Sequence, residues 1–70
     1  MARVLVVDDE VDFLSTYERL LRPQGYEVTA VSSRAAALEA VAHERPALII
    51  SDLRLADGEG LDIVRAARAA

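Results

Sequence analysis

Cysteine and lysine are both missing from this 70-residue chain. Without cysteine there can be no disulfide, no thiolate metal ligand and no thiol nucleophile. Without lysine, the eight cationic side chains are all arginine. Long apolar runs are lacking too. Uninterrupted stretches reach four residues, as at Val4–Val7 and Ala47–Ile50, far short of the ~20 residues of a membrane-spanning helix. The start, Met1-Ala2-Arg3 followed by a short run and then acids, has neither the length nor the small-residue cleavage site of a secretory signal. The expected location is therefore the cytoplasm. Net positive charge is absent as well: the formal value of −4 argues against gripping nucleic acid through its phosphates.

What is present suffices for one small domain, taken as residues 1–70. Hydrophobic residues make up 53% of the chain, too many for a disordered tail. A core is possible but small, because a chain of this length buries only about 60% of the surface its unfolded form exposes.

Arg3–Val7 reads as a strand, and its unbroken aliphatic character predicts cover on both faces, as in a parallel sheet. Phe13, Leu14, Tyr17, Leu20 and Leu21 recur at helical spacing, opposite Ser15, Glu18, Arg19 and Arg22. Phe13 and Tyr17 are accordingly expected in the core. Pro23 stops that helix and Gln24-Gly25 turn the chain. Tyr26–Val31 reads as a second strand. Ser32 or Ser33 caps a helix running to about Glu44, with Leu38 and Val41 inward. Pro46 ends it, and Ala47–Ser51 is the third strand. Asp52 to about Glu59 is expected as a loop. Leu61, Ile63, Val64 and Ala67 mark a last amphipathic helix.

The order β-α-β-α-β-α predicts a parallel α/β sheet with helices on both faces. In strand order 2-1-3, the first and third strands are neighbours at the point where the winding reverses. Ligands of open α/β sheets lie beyond the carboxyl ends of the strands at that point. Asp8, Asp9 and Asp52 all stand at such ends, so their carboxylates should meet. Converging like charges need a cation, and carboxylates without nearby thiol or amine suit a hard divalent ion, Mg²⁺ above all. A carboxylate beside Mg²⁺ can also act as a nucleophile toward phosphorus. From the residues alone the site is a Mg²⁺-assisted phosphoryl acceptor or a phosphohydrolase.

The acidic pair after strand one, the lone Asp after strand three and the stretch DLRLADGEGLDIV together resemble the receiver domain of two-component response regulators. The resemblance covers all 70 residues. It implies a flavodoxin-like fold of which the first three βα units are present, and a phosphoacceptor module rather than an enzyme. It further implies that Asp52 accepts a phosphoryl group from a histidine kinase. Asp9, Asp52 and the backbone carbonyl of Arg54 would hold Mg²⁺, with Asp8 acting mainly through water. The wording of the Asp52–Gly60 segment is closest to receivers of transcriptional regulators; no membrane or direct nucleic-acid contact is implied for this segment. Two features depart from the family. Ala56 stands where a proline is usual, which predicts a less rigid loop. The Thr or Ser after a fourth strand and the Lys after a fifth, which contacts the phosphoryl group, have no counterpart. Three carboxylates and one Mg²⁺ then leave about −1.

The remaining polar residues receive structural readings: Asp57, Gly58 and Gly60 as turn and helix-start residues, Glu59 as an exposed acid in a first helical turn, His43 as a surface residue near a helix C-terminus. Two other functions compete with the receiver. A haloacid-dehalogenase-like phosphatase would use Asp8 as nucleophile, paired with Glu10. A structural half domain would dimerise through the exposed edge of Ala47–Ser51 and use none of this chemistry.

Overall fold

A computed structural model describes residues 2–69. Three strands, β1 (Arg3–Val7), β2 (Glu27–Val31) and β3 (Leu48–Ser51), form one parallel sheet in the order β2-β1-β3. Three helices connect and follow them: α1 (Val11–Leu21), α2 (Arg34–Glu44) and α3 (Gly60–Ala69). The predicted topology is the observed one. Val7 pairs with Val31 on one side and with Ser51 on the other, so β1 is central and its end is flanked by both neighbours.

The two-residue period of β1 sends its side chains to two separate layers. Leu5 and Val7 pack with Ala37, Ala40 and Val41 of α2 and with Leu55 and Ile63. Val4 and Val6 pack with Leu14 of α1 and Val28 of β2. Four of the five β1 residues are thus buried, and each fully buried Val or Leu contributes roughly 1.5–3 kcal/mol. Here the unbroken apolar run of β1 has its physical cause.

Several edges of the elements move. Tyr26 precedes β2 and is exposed, and Ala47 precedes β3. Helix α1 passes into a 3₁₀ turn at Arg22–Gln24 before Gly25. Tyr17 and Leu21 pack against the α1 layer as expected, but Phe13 does not: it is 54% exposed, and Leu20 63%. Phe13 lies one residue from Leu14, about 100° around the helix, and within the sheet α1 packs mainly against β1 and β2. A three-stranded sheet is too narrow to cover so wide an apolar face. Leu61 and Val64 of α3 are exposed for the same reason, while Ile63 between them is fully buried.

The predicted loop at Asp52–Glu59 is instead a small hairpin, with strand β4 (Arg54–Leu55) antiparallel to β5 (Gly58–Glu59). Leu55 anchors it in the α2/α3 layer. The flexibility expected from Ala56 is countered by hydrogen bonds at both ends of the hairpin. At its base the Gly60 amide donates to the Leu53 carbonyl at 3.0 Å. At its tip the two Asp57 carboxylate oxygens accept from the amides of Arg34 and Ala35 at 2.7 and 3.0 Å. Helix α2 is capped from within as well, Ser33 Oγ accepting from the Ala36 amide at 3.1 Å.

Candidate metal-binding site

The sheet ladder runs one residue past the strand ends, and that extension delivers the acids. The Asp8 amide donates to the Val31 carbonyl at 3.2 Å, and the Asp52 amide to the Val7 carbonyl at 3.0 Å. Since Val7 and Ser51 are paired, Asp8 and Asp52 leave adjacent strands at the same level. Asp9 follows on the loop into α1. Each of the three offers a carboxylate oxygen, and these oxygens lie within 4.8 Å of one another. Asp8 is half-buried; Asp9 and Asp52 are exposed.

Asp8 is held by a local bond in which the Glu10 amide donates to its carboxylate at 2.9 Å, an Asx-type turn that starts α1. Among the described residues, none of the ion pairs involves Asp8, Asp9 or Asp52. Three carboxylates therefore converge with no cationic side chain of the described residues within ion-pair distance. An all-oxygen donor set with this charge fits a hard divalent ion. Oxygens bound to one Mg²⁺ stand at most about 4.2 Å apart, twice the bond length, so small side-chain rotations would close the cluster around it.

Arg54 enters through its backbone. Antiparallel pairs alternate between hydrogen-bonded and non-hydrogen-bonded. The Gly60–Leu53 bond makes the pair beyond Arg54 and Glu59 a bonded one. Arg54 is thus in a non-bonded pair, and its carbonyl points out of the hairpin, free to accept another partner. Glu10 and Glu59 are both exposed and outside the acidic cluster. Glu59 ends β5 rather than occupying a helical turn. His43 sits exposed on α2, 3.4 Å from Glu39, one helical turn away.

Two residues read from sequence as mere turn formers have closer ties to the site. Gly60 is buried, and a Cβ there would fall 2.0 Å from the Asp52 carbonyl oxygen and 2.8 Å from Ser51 Oγ. Asp57 binds the start of α2, with its carboxyl pKa held below the usual value of 3.8 by the Arg34 and Ala35 amides. The DGEG wording contained both signals, but the partner of Asp57 lies 23 residues away.

A doubly wound parallel unit with a carboxylate cluster at its winding switch defines an open α/β domain whose ligand site lies beyond the strand ends at that switch. Within it the chain belongs to the response regulator receiver domain family, whose sequence model matches residues 4–70. It is 42% identical over 67 residues to the transcriptional regulatory protein PrrA of Mycobacterium tuberculosis, covering 96% of this chain and 29% of that one. To the transcriptional regulatory protein KdpE of the same species it is 41% identical over 64 residues, covering 91% and 28%. Among solved structures, the chemotaxis response regulator CheY4 of Vibrio cholerae superposes with a TM-score of 0.87 at 33% identity, covering 94% of this chain and 55% of that one. A response regulator receiver domain protein from Clostridium thermocellum gives 0.86 at 30%, covering 99% and 56%. The chain spans under a third of these curated relatives. The fold is the flavodoxin-like receiver fold. Nothing here supports the phosphatase reading with Asp8 as nucleophile: its required second acid, Glu10, stands apart from the cluster. No helix among the described residues is long and apolar enough to cross a membrane.

Proposed function

We propose that the chain is the phosphoacceptor module of a two-component response regulator, taking a phosphoryl group from a histidine kinase onto Asp52. The observation that carries this reading is the convergence of Asp8, Asp9 and Asp52 at the strand ends in a chain of the receiver family. A carboxylate oxygen of Asp52 attacks the phosphorus. The new O–P bond forms as the P–N bond to the donor imidazole breaks, and that imidazole takes up a proton. The product is an acyl phosphate formed once per donor, so the chain is a substrate of its kinase and not itself an enzyme.

Mg²⁺, when bound, supplies positive charge opposite the phosphoryl oxygens. Asp9, Asp52 and the outward Arg54 carbonyl would hold it, with Asp8 acting through water. Exposure of Asp52 suits access by a protein donor. Control of transcription in the cytoplasm is the proposed output, in keeping with the names of PrrA and KdpE. The unpaired edge of β3 is proposed as a site of self-association. Incubation with a small phosphodonor and Mg²⁺, followed by mass spectrometry, tests the assignment. A phosphoryl adduct on Asp52 that disappears in Asp52→Asn is expected, in low yield because no lysine balances the added charge. An adduct on any other residue, with Asp52 unmodified, would refute the assignment.

A further inference from the structure

Asp57 binds no part of the acidic cluster, yet it ties the segment that carries Asp52 and Arg54 to a distant element. Its two oxygens take the Arg34 and Ala35 amides, and Ser33 takes the Ala36 amide. The first three amides of α2, which have no partners inside the helix, are thus all satisfied, two of them from the hairpin. A carboxylate engaged at both oxygens fixes orientation as well as distance. A second contact reinforces the first: Arg34 Nε donates to Asp62 of α3 at 3.0 Å. The Arg34 stem fills the space beside Gly58, where a Cβ would fall 2.3 Å from Arg34 Cδ. Gly58 has φ +152°, which side chains rarely adopt. The hairpin is therefore held at three places: its base by Gly60, its flank by Leu55 and its tip by Asp57.

We infer that Asp57 is a positioning residue for the phosphoacceptor site, clasping the β4–β5 hairpin to α2 so that the Asp52 backbone and the outward Arg54 carbonyl are held in place. This rests on the phosphoacceptor reading above. Neither Asp57 nor Ser33 touches the three carboxylates, but they differ in one respect. Asp57 joins the hairpin to the helix, whereas Ser33 caps the helix alone. Loss of either weakens α2; only loss of Asp57 frees the hairpin tip.

That difference supplies the test. Mg²⁺ is titrated into the full chain, and into its Asp57→Ala and Ser33→Ala variants, while amide resonances of Asp8, Asp9 and Asp52 are followed by NMR and amide exchange is recorded at Arg34, Ala35 and Gly60. Asp57→Ala should speed exchange at all three amides and weaken Mg²⁺ several-fold, and Ser33→Ala should leave the Mg²⁺ response unchanged. If Asp57→Ala does not fold, Asp57→Asn, which keeps one acceptor oxygen, should show the same pattern with a smaller loss. Equal losses in the Ser33 and Asp57 variants, or an unchanged Mg²⁺ response in the latter, would overturn the clasp alone. A wild-type chain whose aspartates ignore Mg²⁺ would overturn the phosphoacceptor reading with it.

Discussion

Gly60 and Asp52 are eight residues apart in sequence, but the Gly60 Cα stands so close to the Asp52 carbonyl that a Cβ would lie 2.0 Å from its oxygen. The start of α3 is in this way pressed against the backbone of the proposed phosphoacceptor. No rotamer change can relieve a clash with a carbonyl, so the backbone itself would have to move. Gly60→Ala should therefore cost about 1–3 kcal/mol, read as a lower urea midpoint with an unchanged slope. A variant as stable as wild type would show that the α3 start yields freely.

Mg²⁺ should bind weakly, at about millimolar concentration, since a few carboxylates on a small exposed site leave the ion largely hydrated. Asp52→Asn should weaken it further. In an NMR titration the largest shifts are expected at Asp8, Asp9 and Asp52. Shifts confined to the Arg3–Glu27–Glu44 ion pairs at the other end of the sheet would place the ion elsewhere.

Stability should fall in acid through Asp57. Its folded pKa is depressed below 3.8 by the two α2 amides. A depressed carboxyl contributes stability that is fully present above its unfolded pKa and is lost as pH drops through the folded one. The window is therefore below about pH 4. Urea midpoints measured from neutral pH downward should fall less steeply in that window for Asp57→Asn. Identical acid limbs for the two chains would show that Asp57 stays paired when protonated.

Removal of core and overhanging side chains should separate cleanly. Ile63 is fully buried between the helices and the sheet, and Ile63→Ala should cost about 2–5 kcal/mol. For a chain this small that is comparable to its whole stability, and the variant should lose its cooperative transition. Phe13→Ala, on the exposed flank of α1, should stay within about 1 kcal/mol of wild type. The reverse order would mean that α1 is rotated in solution.

Edge pairing of β3 can be weighed directly. Leu48 is 54% exposed, and no residue of the strand is charged or proline. Such an edge recruits another strand, and two copies related by a two-fold axis would pair it antiparallel. Sedimentation of the 70-residue chain at tens of micromolar should reveal a dimer. A cooperative monomer at that concentration would dismiss this association.

The strand positions and the meeting of three acids were legible because both rest on short-range patterns. Apolar runs end in carboxylates, and parallel order follows from alternating helices and strands. Phe13 was misread because periodicity reports which side of a helix is apolar, not how much of that side a three-stranded sheet can cover. The hairpin at residues 54–59 was missed because pairs of two residues carry no periodic signal. Asp57 and Gly60 look like ordinary turn residues, and their partners at Arg34, Ala35 and the Asp52 carbonyl appear only once the chain is folded.

Helix α2 ends very differently from how it starts. Its last cap, Arg45, is left-handed at φ 47° and ψ 65°, the one non-glycine residue with positive φ among those described. Glycine is the usual occupant of that position, and an L-residue there costs roughly 1–2 kcal/mol. The eleven residues of α2 keep Arg45 about 16 Å from the Asp57 contacts. Residue 45 is therefore a place where sequence drift can tune the stability of the fold while the acidic end keeps its geometry.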